Sequence, residues 1–349
     1  MNEDIFIITQ RIESYRYKFY ELLNEKYNDK IIGIHSNDIP TNLEFRSIKL
    51  KKLSVINLRF QKKIISIVCK QKPRVIIAEF DLHVISNVIL LFICKLLKLK
   101  FIWWGIGLGK NKKLFFIRKI LIRISDGVIV YEDSSKSKLI QIGVNPNKIK
   151  VMQNTIFVSN PEYNSEILDK KNLIVIGKLD KRKGVEDLLI AFAEISQKLK
   201  LIDCIIIIGD GPEKKYLYNL CEKLNIKNRV KFKGKILDEE ILKEEFHKSL
   251  ATIHPQQAGL SVLHSFSYGV PFITSRNSIT GGEADNINNN FTGILYGGSI
   301  DQLKDIIIDI DSNPTKYHKM GFNAYKYYMS SRTMNNMVKN YYDSILNLS

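Results

Sequence analysis

Short apolar runs rich in β-branched residues recur along the chain, and longer segments with helical spacing separate them. The runs have the length of strands but lack the polar alternation of a strand with one face in water. Strands buried on both faces are typical of parallel sheets that crossover helices cover on both sides. The pattern predicts strands at 4–8, 30–34, 74–78, 100–104, 127–131, 172–177, 203–209, 229–234, 250–255 and 271–274.

The alternation stops after Asn154 and restarts at Asn172. The segment 158–171 is polar and contains a proline, which indicates a linker. A length of 349 residues suits two domains. We therefore predict an α/β chain with two Rossmann-like domains, 1–157 and 172–330, that face a central cleft. Residues 331–349 predict a terminal helix, and 56–69 predicts a helix within the first domain.

The positive charge is concentrated in the first half of the chain. Lys and Arg number 53 and Asp and Glu 36, a net charge of +17, but the first 150 residues hold 28 basic and 13 acidic residues. A biased codon usage would enrich lysine throughout rather than in one half. The excess favours an anionic partner, which is nucleic acid, a phosphorylated ligand or an anionic membrane surface.

The cysteines and the N-terminus favour a cytoplasmic location. The four cysteines form no CxxC pair, so neither a disulfide framework nor a zinc site is expected. The first residues lack the pattern of a signal peptide. The most apolar stretch, 84–94, is followed by lysines and is too short to span a bilayer, so it predicts a buried or interfacial helix.

Three motifs follow strands of the second half, where ligands of such sheets bind. In GKLDKRKG (177–184), Gly177 allows a turn, and Lys178 and Lys183 lie near a predicted helix start, which favours phosphate binding. Gly209 and Gly211 form the next turn. In the third motif, Gly259, Leu260 and Ser261 begin a helix, and Gln256 and His264 are eight residues apart. The alternatives are a solvated basic turn, a plain strand-to-helix connector and a buried structural histidine.

Together these motifs resemble those of the retaining glycosyltransferases of group 1 (family 4), which have the GT-B fold. Segments 125–156, 230–236 and 281–296 are also similar to that family, and the last helix resembles the one that crosses back to the first domain. The resemblance covers 125–349, whereas the first 120 residues match mainly in architecture. It implies a nucleotide-sugar donor domain at 172–330 and an acceptor domain at 1–157.

The resemblance also implies roles for single residues. Lys178 and Lys183 would contact the donor diphosphate as catalytic cations, together with the amides of Leu260 and Ser261. The base would lie near Gly234, Lys235 and Ile236. The implied donor-binding set is Gly177, Lys178, Lys183, Gly209, Gly211, Gly234, Lys235, Ile236, Gln256, Gly259, Leu260, Ser261 and His264. The departing phosphate would take the acceptor's proton, so a protein nucleophile is not needed. No cofactor and no essential metal are expected.

The chain departs from the family at two places. The family's paired acids, Glu-x7-Glu, are replaced by Gln256 and His264, which we expect to act as catalytic hydrogen-bonding substitutes. His264 would titrate near neutrality, so donor affinity would rise as the pH falls. Within 102–110, Ile106 stands where family members often carry a histidine. The polar candidates for holding the acceptor are Glu79, Asp81 and His83, for which a solvated turn is the alternative.

The leading hypothesis is a retaining glycosyltransferase of the hexosyltransferase type. It would move a sugar from a nucleotide-diphosphate sugar to an acceptor glycan or a lipid-linked saccharide during synthesis of bacterial capsule, O-antigen or exopolysaccharide. The basic first domain would place it peripherally on the cytoplasmic face of the membrane. The alternative is a catalytically degenerate GT-B protein that binds nucleotide sugars. A nucleic-acid partner is not expected, because Trp103 and Trp104 lie in an apolar strand.

Overall fold

The computed structural model describes residues 3–28, 30–109 and 112–348. The outermost residues of the predicted domains, and Lys110 at the end of the 102–110 motif, lie outside the described residues. The chain divides into two compact units. Unit 1 comprises Met1–Phe157 with Met334–Ser349, and unit 2 comprises Val158–Thr333.

Among the described residues, unit 1 builds one seven-stranded sheet of parallel strands in the order β3-β2-β1-β6-β7-β8-β9. Its elements are β1 (Ile5–Ile8), α1 (Tyr17–Lys26), β2 (Ile31–His35), β3 (Arg46–Lys49), β4 (Lys52–Val55), β5 (Leu58–Gln61), α2 (Ile64–Gln71), β6 (Val75–Glu79), α3 (Ile85–Leu96), β7 (Lys100–Gly105), α4 (Phe115–Ile124), β8 (Gly127–Val130), α5 (Asp133–Gln141) and β9 (Ile149–Val151).

Side chains alternate across this sheet and give it two apolar faces. Phe6 and Ile8 lie in one buried cluster with residues of α2, α3, α4 and α5. Ile5 and Ile7 lie in the other, with α1. Burial on both faces explains why the strands are apolar throughout.

Unit 2 repeats the architecture with six parallel strands within the described part of the chain, in the order β12-β11-β10-β13-β15-β17. Its elements are β10 (Asn172–Ile176), α6 (Val185–Ile195), β11 (Cys204–Ile208), α7 (Lys214–Lys223), β12 (Val230–Gly234), α8 (Glu239–His247), β13 (Ser249–Ile253), β14 (Gln257–Ala258), α9 (Ser261–Ser267), β15 (Phe272–Ser275), β16 (Ile279–Thr280), β17 (Gly293–Tyr296), α10 (Ile300–Ser312) and α11 (Pro314–Ser331).

The last helix, α12 (Met334–Leu348), packs in unit 1. Its Tyr341 ring lies 5.1 Å from the ring of Phe19 and 5.4 Å from that of Trp104. The helix begins at Met334 rather than at residue 331, because α11 continues to Ser331.

All ten predicted strands are present, each with ends within two residues of the prediction. The predicted fold class, α/β with two Rossmann-like domains, is confirmed. None of the described helices combines the length and the apolar composition needed to cross a bilayer.

The predicted helix over 56–69 is wrong in its first half. Strands β4 and β5 form an antiparallel hairpin there, with Val55 opposite Leu58, and α2 begins only at Ile64. The two-residue turn places Ile56 at a φ of 56° and 96% exposed, an unusual conformation for a β-branched residue. Apolar spacing alone did not distinguish this short hairpin from a helix.

The predicted linker, 158–171, lies within unit 2. The Glu162 N–H donates to the carbonyl of Ser267, and the Tyr163 hydroxyl lies 2.6 Å from His318 Nε2. Lys170 is buried, and its ammonium donates to the carbonyl of His247. Polar composition suggested a free segment, but its side chains pack on the helices of unit 2.

Candidate functional site

Three loops converge at the carboxyl edge of the unit 2 sheet, where β10, β11 and β12 end side by side. The Gly177 N–H donates to Ile208 and the Gly209 N–H to Gly234, at 2.8 and 2.7 Å. A Cβ at Gly209 would lie 2.1 Å from the carbonyl oxygen of Gly177, so only glycine fits. The structure thus brings Gly177, Gly209 and Gly234 together. Gly211 is also confined, because a Cβ there would lie 2.2 Å from the carbonyl oxygen of Leu179.

Lys183 is a buried cation beside these loops. It is 7% exposed, and a Cβ at Gly177 would lie 3.4 Å from its ammonium nitrogen. Burial lowers the pKa of Lys183 to about 8, which the charge of Asp180 only partly offsets. Lys183 forms no ion pair among the described residues. The nearby carboxylate of Asp180 is paired with Arg182 at 2.6 Å. A buried ammonium without a counter-ion is well suited to receive an anion.

The other residues of the predicted donor set lie along the same edge. Lys178 is exposed on the loop after β10, and Lys235 and Ile236 follow β12. Leu260 and Ser261 lie at the start of α9, immediately after Gly259. The edge therefore carries exposed cations around the buried one.

His254 connects the parts of this edge, and the sequence analysis did not select it. It is fully buried after β13, where its Nε2 accepts the Ile176 N–H at 3.1 Å. The proton therefore resides on Nδ1, which lies 3.2 Å from the Ser261 hydroxyl. Burial lowers the pKa of His254 well below its ordinary value, and Lys183 lowers it further. The only sequence signal was a histidine at a strand end.

Gln256 lies next to Lys183. Its N–H donates to the carbonyl of Lys183 at 3.1 Å, and its side chain packs over Gly184, where a Cβ would lie 2.5 Å from its Cγ. Its amide nitrogen donates to Asp187 at 2.6 Å. That bond uses the amide nitrogen of Gln256 and leaves its amide oxygen to accept other hydrogen bonds.

His264 does not titrate near neutrality. Its protonation therefore cannot raise donor affinity as the pH falls towards neutrality. Its ring packs 5.2 Å from Phe246 and 5.7 Å from Tyr268, centroid to centroid. This burial lowers the pKa of His264 to about 4. The ring is therefore neutral at physiological pH.

Unit 1 places Glu79 at the carboxyl edge of its own sheet. Glu79 ends β6, and its Oε2 accepts the Gln10 N–H at 2.9 Å. Burial raises the pKa of Glu79. The side-chain amide of Gln10 is 5% exposed and has no hydrogen-bond partner within the described residues. Buried polar groups are normally paired, so the unpaired amide makes Gln10 a candidate ligand contact that the sequence did not indicate.

Asp81 and His83 form a separate, paired arrangement. Asp81 Oδ2 accepts a hydrogen bond from Arg59. Asp81 Oδ1 accepts two more, from the backbone N–H and from the ring Nδ1 of His83, both at 2.9 Å. Although burial opposes the shift, these bonds lower the pKa of Asp81. Asp81 is thus an ionised carboxylate held by neighbours, and His83 is exposed.

Two cavities open beside Glu79 in unit 1, and both are also lined by Trp104 and Tyr131. The first, of about 230 Å³, contains Gln10 and Arg59. The second, of about 480 Å³, is lined by polar and apolar side chains that include Asp81, His83, Ile106, Leu114 and Arg118. Arg118 is buried and donates to the carbonyls of Phe80 and Gly107 at 3.1 and 2.7 Å, so it fixes the wall of this cavity.

Across the described ranges, no three His, Cys, Asp or Glu side chains are grouped so that they could hold a metal ion.

The matching protein family agrees with the position of the unit 2 site. Residues 160–327 match the model of the glycosyl transferases group 1. The matched residues lie within unit 2 and include the loops around Lys183 and His254.

Curated relatives match about half of the chain. A 2-deoxystreptamine N-acetyl-D-glucosaminyltransferase of Niallia circulans is 26% identical over 166 residues, which is 47% of this chain and 41% of that protein. An uncharacterised 41.2 kDa protein in the cps region of Klebsiella pneumoniae is 26% identical over 180 residues, or 48% of this chain and 47% of that one. The chain thus spans less than half the length of these relatives.

A solved structure matches the fold over almost the whole chain. A UDP complex of the Anabaena protein HepE has a TM-score of 0.76 and 14% identity, and the match covers 98% of this chain and 99% of that one. Residues 160–327 thus resemble the glycosyl transferases group 1, and almost the whole chain shares the fold of the HepE structure.

Proposed function

We propose that the protein is a retaining glycosyltransferase of family 4 and of the hexosyltransferase type. Unit 2 binds a nucleotide-diphosphate sugar, and unit 1 binds the acceptor. The acceptor is a glycan or a lipid-linked saccharide of bacterial surface polysaccharide synthesis. The relative in the cps region supports that setting.

The observation that carries the proposal is Lys183, a buried cation that forms no ion pair within the described residues, at the edge where Gly177, Gly209 and Gly234 meet. When the sugar C1–O bond breaks, negative charge develops on the departing diphosphate. A preorganised ammonium stabilises that charge without having to reorganise, together with Lys178 and the amides of Leu260 and Ser261. The proposal needs no resident cofactor or essential metal.

The oxygen of the acceptor hydroxyl forms the new bond to the sugar C1, and the hydroxyl proton passes to the departing phosphate oxygen. The products are therefore the glycoside and a nucleoside diphosphate. Gln10 and Glu79 line a cavity where they can hydrogen-bond acceptor hydroxyls. Asp81, held by Arg59, and His83 line the neighbouring cavity.

The test is a panel of UDP- and GDP-sugars. We first expect thermal stabilisation by one nucleotide, about 2.7 kcal/mol at 100 times Kd. We then expect transfer from the matching sugar with an unchanged anomeric configuration, measured by NMR of the product. Activity that survives EDTA would agree with a metal-independent reaction, whereas an inverted product would contradict the retaining mechanism.

Three observations favour a second candidate, a degenerate protein that binds nucleotide sugars without transferring them. Neither family acid is present, the Gln256 amide is bonded to Asp187, and the His264 ring is packed among aromatic rings. Nucleotide binding without turnover by any donor would establish this candidate in place of the transferase.

A further inference from the structure

The excess charge of the chain comes from one continuous segment. Residues 45–125 contain 19 lysine and arginine residues, and their only acidic residues are Glu79 and Asp81, so this segment carries the whole net charge of +17. From 82 to 125 there is no acidic residue at all. The segment includes α2, α3 and α4, which cover one face of the unit 1 sheet.

Helix α3 exposes apolar side chains where a surface helix normally exposes polar ones. Leu90, Leu91 and Cys94 pack on the sheet. The opposite side carries Ile89, Phe92 and Leu96, which are 39%, 47% and 83% exposed. Their spacing of three and four residues places them on one stripe of the helix.

Helix α4 repeats this arrangement beside α3. Leu121 and Ile122 are buried in the same cluster as the inner residues of α3. Phe116, Ile117 and Ile120 are exposed, Phe116 by 70%. The Lys95 ammonium at the end of α3 contacts Asp126, just after α4, at 2.7 Å, so the two helices lie next to each other.

We define the docking face as the exposed apolar side chains of α3 and α4, which are Ile89, Phe92, Leu96, Phe116, Ile117 and Ile120. Exposed cations flank it, among them Lys98, Lys100 and Arg123. Exposed apolar side chains grouped on two helices of the same sheet face mark an interaction site. Apolar side chains flanked by cations fit an anionic bilayer, because the side chains enter the interface while the cations meet the headgroups.

Charge decides between the possible occupants. A second copy of this chain would bring an equally basic face against this one, and like charges oppose that contact. Nucleic acid would satisfy the cations but would leave the apolar side chains exposed.

We propose that the docking face binds unit 1 to an anionic bilayer surface, from which a lipid-linked acceptor enters the cavity beside Glu79. The acceptor class rests on the proposed function, whereas the docking does not. Leu114 lines that cavity and immediately precedes α4, and Asp81 lines it shortly before α3 begins. The mouth of the cavity therefore adjoins the docking face.

The test measures binding of the full chain to vesicles of phosphatidylcholine, alone or with about one third phosphatidylglycerol. We expect binding at least tenfold tighter to the anionic vesicles. Phe92→Ser combined with Phe116→Ser should weaken it at least tenfold, and Phe116→Ser alone should weaken it by a smaller factor. The matched control is Leu168→Ser, a residue of unit 2 that is 85% exposed.

A second set of variants isolates the electrostatic part. Lys98→Gln, Lys100→Gln and Arg123→Gln together should remove most of the salt dependence of binding, because salt screens exposed charges. The control is Lys215→Gln, an exposed lysine on α7 of unit 2. Equal binding to neutral vesicles, or wild-type binding by the phenylalanine variants, would overturn the docking.

Two further readouts separate this proposal from the proposed function. Stabilisation by nucleoside diphosphates should be the same in wild type and in the phenylalanine variants, which also reports on folding. Vesicle binding that requires Phe92 and Phe116 in a protein without transferase activity would support docking and overturn only the lipid-linked acceptor. A dimer that requires these residues, in the absence of vesicle binding, would assign the face to a second copy and overturn the proposal.

Discussion

The carboxyl edges of the two sheets are similar in architecture and opposite in electrostatics. In unit 2, the buried ammonium of Lys183 has no ion-pair partner among the described residues. In unit 1, Asp81 is paired with Arg59 and His83, and Glu79 accepts a backbone N–H. The difference agrees with the proposal that unit 2 binds an anionic donor, because an unpaired cation is suited to an anion, and that unit 1 binds hydroxyl groups of an acceptor.

The largest expected effect concerns the unmatched cation. Lys183→Met should reduce kcat/KM at least a hundredfold, about 3 kcal/mol, since it removes a charge placed for the departing diphosphate. The same change should stabilise the fold by up to about 3 kcal/mol, because the buried position lowers the pKa of Lys183 from 10.5 to about 8.

Steady-state kinetics and urea unfolding measure the two consequences separately. The control is Lys181→Met on the same turn, where the side chain is exposed. If Lys183→Met loses stability and keeps its activity, Lys183 is not an unpaired cation placed for the donor.

The second prediction concerns the close backbone contact in unit 2. Gly209→Ala should destabilise the protein by about 2 kcal/mol, because the added Cβ would lie 2.1 Å from the carbonyl oxygen of Gly177. Gly259→Ala provides the comparison, since nothing lies within 4 Å of its Cβ position. Equal melting temperatures for the two variants would show that the loops are not held this closely.

The third prediction addresses the matched edge of unit 1. Glu79→Gln should lower kcat/KM for the acceptor roughly tenfold to a hundredfold and leave nucleotide affinity unchanged, because only an acceptor-binding group is altered. Burial raises the pKa of Glu79, so the wild-type rate should fall with decreasing pH from a value above the usual range for glutamate. Asp81→Asn tests whether the paired carboxylate contributes as well.

A loss of nucleotide affinity in Glu79→Gln would contradict the division of labour between the units. Nucleotide affinity is measured by calorimetry with the same protein used for the rates.

The smallest expected effect concerns the residues that replace the family's acids. Gln256→Ala and His264→Ala should each lower kcat/KM about tenfold, or 1.4 kcal/mol, without loss of folded protein. Because the pKa of His264 is lowered to about 4, its removal should not alter the pH profile between 6 and 8. Wild-type rates in both variants would show that the site is aligned incorrectly.

The sequence predicted the strands and the loops of unit 2 because each prediction depended on local chemistry. Buried parallel strands are apolar throughout, and glycine, proline and lysine after a strand indicate a ligand-binding turn. Gly177, Gly209 and Lys183 were identified on these grounds and lie together.

The residues that were missed depend on contacts between distant parts of the chain. His254 pairs with Ile176 and Ser261, and Gln10 lies against Glu79, which is 69 residues away. The hairpin of β4 and β5 was misread because a two-residue turn with Ile56 at positive φ has no composition signal. The His264 pKa was misjudged because the packing of Phe246 and Tyr268 around it is not visible in sequence.

The central claim is that Lys183 is the cation that receives the donor diphosphate. The most direct measurement is calorimetric affinity for the nucleoside diphosphate between pH 7 and pH 9.5, in wild type and in Lys183→Met. Since the free protein holds the pKa of Lys183 at about 8, we expect wild-type affinity to fall as the pH rises above 8, while the variant binds weakly at every pH. Equal affinity and the same pH profile in both proteins would contradict the claim.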